Sequence, residues 1–132
     1  MGVLPVVEKW GDHSRDLSES QGRFRRSDWN YFVVDQGLGA MAGYWLAEGG
    51  HEDLGEDDFD EILHVMEGRL YVTCGGQSYV AEPGDSVVAH RGRPMRVEVR
   101  EPTRVFFVCY GVKDPEGYEL NVRRMMKLKK VV

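Results

Sequence analysis

Short apolar runs recur along this chain from about residue 30 to residue 110. Each is rich in β-branched or aromatic side chains and is bounded by glycine, proline or acidic residues. That punctuation predicts strands near 30–35, 39–47, 59–66, 69–74, 77–82, 85–90, 95–100 and 104–110, the pattern of an all-β sandwich or barrel. The clearest period of two is Met95-Arg96-Val97-Glu98-Val99-Arg100. It sends Met95, Val97 and Val99 to one face and three charges to the other. Cys74-Gly75-Gly76-Gln77 predicts a tight hairpin, because glycine reaches positive φ without steric cost.

The predicted strand 59–66 is apolar on both faces, with Ile62 and Met66 one way and Leu63 and Val65 the other. A barrel interior uses one such face, so the other is expected to meet a second sheet, an arm or a partner. A homodimer is the expected outcome. Residues 11–29 are polar and loop-like, so the chain divides into an N-terminal arm (1–29), a barrel (30–112) and an extension (113–132), one domain in all. Asp114-Pro115 suits a helix start with proline at its first position, placing Tyr118, Val122, Met125 and Met126 on one face. The alternation of Tyr118, Leu120 and Val122 fits a strand as well. Both readings stay open, with the helix favoured.

Composition narrows the class. At 132 residues, 42 % apolar and 30 % charged, the chain can enclose one core and is neither disordered nor membrane-spanning. No apolar run approaches the ~20 residues of a transmembrane helix. The first residues lack the basic and apolar regions of a secretory signal, and position 6 is Val where a myristoylation signal has Ser or Thr. A cytoplasmic protein is expected, with Cys74 and Cys109 reduced and buried in strands.

The net charge of −5 is unevenly spread. Glu48, Glu52, Asp53, Glu56, Asp57, Asp58, Asp60 and Glu61 crowd one segment, read as a mobile, hydrated entrance loop that disfavours anionic substrates. It lacks the ordered spacing of a calcium loop. Arg123, Arg124, Lys127, Lys129 and Lys130 form a basic tail without interleaved aromatics, so no nucleic acid and no membrane is expected as a partner.

From Gly49 to Tyr110 the chain resembles the cupin family. One cupin motif runs Gly, five residues, His, one, His, three or four, Glu, six, Gly; here Gly49, Glu61 and Gly68 stand at those spacings, while the histidine slots hold Gly55 and Asp57. With the longer spacing the slots would be Leu54 and Glu56. The second motif runs Gly, five, Pro, one, Gly, two, His, three, Asn. Gly84 and Gly92 match, but His90 replaces Pro, Met95 replaces His and Val99 replaces Asn. Val65-Met66-Glu67-Gly68 and Pro83-Gly84-Asp85 look cupin-like, and Phe59-Asp60-Glu61-Ile62-Leu63-His64 is similar to the ethanolamine-utilisation Q-type cupins. The resemblance implies a single small cupin, an RmlC-like jelly-roll β-barrel. An acetate kinase activity is ascribed to the Q-type cupins, but fold does not fix function, and no phosphate-cradling loop is visible here.

A cupin metal takes three imidazoles and one carboxylate. Glu61 keeps the carboxylate, Asp57 offers another, and Gly55 and Met95 offer no hard ligand, so no metal and no cofactor is expected. His51 and His90 lie where they could rescue a site; strand alternation turns His64 away from Glu61. The motif position points Glu61 into the barrel, where apolar walls would raise its pKa and suit it to acid or base work. Tyr110 and His90 are its expected catalytic partners. Asp57, Met95, His51 and either Trp45 or Tyr44 are the expected contacts to a small-molecule ligand.

Three functions compete: a metal-independent isomerase- or lyase-like enzyme, a non-catalytic metabolite-binding module, and a metal-dependent oxygenase or lyase with rearranged ligands.

Overall fold

The computed structural model describes residues 24–25, 28–55 and 58–120. Ten strands are found among them: β1 (Phe24–Arg25), β2 (Asp28–Asp35), β3 (Ala40–Ala47), β4 (Gly49–Leu54), β5 (Asp60–Glu67), β6 (Leu70–Cys74), β7 (Gln77–Ala81), β8 (Ser86–Ala89), β9 (Met95–Val99) and β10 (Thr103–Tyr110). They form two five-stranded sheets, ordered β1-β4-β9-β6-β7 and β2-β3-β10-β5-β8, with antiparallel pairing between neighbours. This is the all-β architecture that the alternation predicts, in the jelly-roll form that the cupin resemblance implies.

Alternation sends one residue in two to the space between the sheets. Met41, Trp45, Leu63, Val65, Val105 and Phe107 come from one side, and Leu70, Val72, Val97 and Val99 from the other. Gly75 and Gly76, at φ +59° and +77°, close the predicted β6–β7 hairpin with both central residues left-handed, the geometry that matches strand twist. Gly68 turns β5 into β6 at φ +77°, and a β-carbon there would collide with Pro102 and Thr103.

Two expectations change. The acidic segment 48–61 is not a loop throughout, since Gly49–Leu54 is strand β4, paired with β9 along its length. One of its charges is paired across the ladder: Asp53 bonds Arg96 at 2.9 Å. Second, strand structure begins before residue 30, at Phe24 and Asp28. The rest of the expected arm, residues 1–23, lies outside the described residues, as do Glu56, Asp57 and the basic tail.

After β10 the chain enters a helix over 115–120. Asp114 caps it, its side chain accepting from Gly117 N at 3.3 Å and from Gln36 Nε2 at 3.0 Å. The Gln36 carbonyl in turn accepts from Glu116 N at 3.1 Å. These bonds pin the helix to the β2–β3 turn and set Tyr118 edge-on against Phe59, ring centroids 5.2 Å apart. The helix thus covers one end of the barrel. Val122, Met125 and Met126 lie outside the described residues. No helix among the described residues is long and apolar enough to cross a membrane.

Candidate functional site

Glu61 lies on β5 opposite Ala89 of β8 and Cys109 of β10. Both neighbours are buried, so Glu61 shares the inward face, as its motif position implies. The Cys109 thiol donates toward Glu61 Oε2 at 3.6 Å. On β4, Glu52 pairs with buried Val97 and turns the same way. Tyr31 of β2 is buried against Phe107, edge to face at 5.2 Å.

Burial pushes the Tyr31 phenol well above its usual range, and Tyr118, Cys109, Glu61 and Glu52 around it push it further. The phenol therefore remains protonated, a fixed donor beside two carboxyl groups. Five polar side chains from four strands and the helix thus converge on one part of the barrel. Of these, only Glu61 was marked as a site residue by its place in the sequence.

The other expected site residues fall elsewhere. Trp45 is inward and 2 % exposed, a core residue. Tyr44, its neighbour, lies on the outer face with Phe32 and Phe106, at 5.4 and 5.7 Å. Tyr110 also faces out: it is the residue after inward Cys109, pairs with Asp60, and is 38 % exposed. It is in the wrong phase to meet Glu61. His51 is exposed on β4 and pairs with Glu98, away from the interior. His64 turns outward as predicted and bonds Ser86 Oγ at 2.8 Å. His90 is exposed, 3.8 Å from the Asp60 carboxylate. Met95 is half-buried against the core, and Asp57 lies outside the described residues.

The donor set does not fit the metal that the two motifs would ordinarily hold. Gly55 stands in the first histidine slot at φ +90°, and a β-carbon there would collide with the Arg93 carbonyl. The Gly55 carbonyl also accepts from Gly92 N at 2.8 Å, locking the two turns together. Met95 fills the last slot with a thioether. Among the described residues no three His, Cys, Asp or Glu side chains come together as ligands.

The barrel also opens between β7 and β8, the edge strands of the two sheets. A groove of about 510 Å³ lies there, floored by Val72, Val87 and Met95, walled by Tyr79 and rimmed by His90 and Arg93. It is the size of a small-molecule site.

The acidic rim expected from the sequence is largely neutralised: Asp53 faces Arg96, Asp58 faces Lys113 and Asp60 faces Arg91. Arg91 holds both Asp58 and Asp60 below the usual carboxylate range, for Asp60 through a backbone and a side-chain hydrogen bond; Lys113 is the larger influence on Asp58.

The cupin domain family profile matches residues 46–109. The match spans just under half of the chain, and the two-sheet jelly roll that holds it is the cupin fold. Among solved structures, this chain is similar to the ethanolamine utilization protein Q of Salmonella typhimurium, at 24 % identity over 65 % of this chain and 70 % of that one, TM-score 0.56. It is similar to KdgF from Halomonas sp., at 20 % identity over 64 % and 79 %, TM-score 0.57. The Schizosaccharomyces pombe Cnp3 cupin domain covers more of it, 89 % of this chain and 80 % of that one, at 11 % identity and TM-score 0.62. At these identities the likeness shows the fold alone. Among curated proteins none matches the chain.

Proposed function

We propose that this cupin binds a small polar metabolite in its barrel and acts on it by metal-independent acid/base chemistry, with Glu61 moving the proton. The reading rests on one observation above the others: Glu61 faces inward beside the Cys109 thiol and near the protonated Tyr31 phenol. A carboxylate so placed can take a proton from a bound molecule and return it at another atom, closing the balance of an isomerisation. In an elimination the same proton leaves with the departing hydroxyl as water. Tyr31 would hold a developing oxyanion by hydrogen bonding. The degenerate metal motif follows from Gly55 and Met95, where imidazoles would be needed.

The test is proton exchange in D2O followed by NMR over a panel of small hydroxy and keto compounds. Deuterium uptake that Glu61→Gln abolishes while binding persists is the expected result. Binding without exchange by either protein would leave a metabolite-binding module instead. Elemental mass spectrometry is run alongside, and about one transition metal per chain would favour the metalloenzyme with rearranged ligands.

Two further expectations belong to this proposal. The free thiols of Cys74 and Cys109 suit a reducing cytoplasm. A second copy of the chain is the partner proposed for the outer face of β2-β3-β10-β5-β8. There Phe32 stacks on Phe106 at 6.1 Å, and Met66 and Val88 are each 40 % exposed.

A further inference from the structure

We infer that the β7–β8 groove takes a small molecule with an apolar body and a carboxylate end, and that Arg93 reads the carboxylate. This deepens the small-molecule reading above and rests on it, but it does not depend on Glu61 chemistry.

The inference begins with a charge census. Among the described side chains, Arg69, Arg91, Arg96, Arg100, Arg104 and Lys113 each face a carboxylate. Arg93 faces none. It sits on the rim of the groove, at the end of a turn fixed by its own N–H to the His90 carbonyl at 3.2 Å and by the Gly92–Gly55 bond. The rigid turn fixes where the side chain starts, and the planar fork of its guanidinium matches a carboxylate.

The neighbouring charges do not compete. The carboxylate of Asp85, also in the lining, is engaged by its own turn, accepting from Glu82 N at 2.8 Å. His90 leans toward Asp60. Beneath the rim the floor is apolar: Val72 and Val87 are buried, Met95 is half-buried, and Tyr79 is 55 % exposed along the wall. A wholly polar anion would leave that floor wet, and a neutral hydrocarbon would leave Arg93 unused. An amphipathic monoanion uses both.

The experiment uses the whole chain and a panel of straight-chain and aryl-substituted carboxylates of about six to twelve carbons, each beside its methyl ester. Binding is followed by amide shifts in 1H–15N spectra. The expected result is perturbation at Val72, Cys74, Tyr79, Arg93 and Met95 by at least one acid, with its ester about tenfold weaker. Arg93→Gln, an exposed change that leaves the fold intact, should weaken the acid about tenfold and leave the ester unchanged. Glu61→Gln should bind the acid as the parent does, so a missing catalytic activity and a missing carboxylate site are told apart. No binding by any acid, equal binding of acid and ester, or shifts that map outside the groove would each overturn the inference.

Discussion

Gly55 and Gly84 have nearly the same backbone angle, φ +90° and +95°, in opposite surroundings. A β-carbon on Gly84 meets nothing within 4 Å; on Gly55 it collides with the Arg93 carbonyl, with the carbonyl carbon at 2.8 Å and the His90 carbonyl oxygen at 3.3 Å. Gly84→Ala therefore costs the left-handed backbone strain alone, about 1–2 kcal/mol. Gly55→Ala adds the displacement of the 90–93 turn. That weakens the Gly92–Gly55 hydrogen bond, about 1 kcal/mol, and crowds packed atoms, about 1–3 kcal/mol. The excess at 55 should be about 2–4 kcal/mol. Gly55→His, which refills the first motif slot, should carry at least the same cost, because the collision starts at the β-carbon.

Urea unfolding followed by tryptophan fluorescence reads the difference directly. With a slope of about 1.5–2 kcal/mol per molar urea, the midpoints of Gly55→Ala and Gly84→Ala should separate by about 1–2.7 M at unchanged slope. Midpoints within about 0.3 M of each other would refute the account of why this slot holds glycine.

Three other outcomes are expected. Since burial raises Tyr31 above its ordinary value of 10.0, the folded chain keeps a proton that the unfolded chain releases. The associated stability is full below pH 10 and falls as pH climbs further, by up to about 1.4 kcal/mol per pH unit. Tyr31→Phe should remove that slope, and parallel pH profiles for parent and variant would sink the assignment. In thiol titration of the native protein, half-buried Cys74 should react well before Cys109, which is 3 % exposed; equal rates would contradict the burial of Cys109. Light scattering should give a dimer that Ile62→Arg, on the outer face of β5, converts to a folded monomer. A monomeric parent protein would end the dimer proposal.

Most of the barrel was readable because its strands carry a period of two between strong breakers, as in Met95–Val99 and at Gly75-Gly76. Strand β4 was not, because its sequence, Gly-Gly-His-Glu-Asp-Leu, has only one large apolar residue and its ladder partner lies more than forty residues away. Missing β4 also hid Glu52, which becomes an inward residue only once Leu54 and Glu52 are seen to alternate in a strand. Tyr110 was misplaced by one residue of phase: Cys109 holds the inward position expected of it. Tyr31 lies on a strand interrupted by a register shift between Tyr31 and Val33, which obscures the face it takes. Arg93 stood in plain view, yet its lack of a carboxylate partner emerges only when every neighbouring arginine is seen to have one.

Strand β10 carries a consequence for how the chain is made. It is the middle strand of its sheet, hydrogen-bonded to β3 and β5 at once, yet it is the last barrel strand to leave the ribosome. Until residue 110 emerges, β3 and β5 have no shared partner, and the apolar faces of Met41, Trp45, Leu63 and Val65 stay uncovered. At about 5–20 residues per second, the sixty or so residues between β3 and β10 leave that surface exposed for several seconds. Closure then depends on long-range pairing, which is slow. The nascent chain is therefore a natural client for a holding chaperone, and a truncation before Thr103 should aggregate rather than yield a smaller barrel.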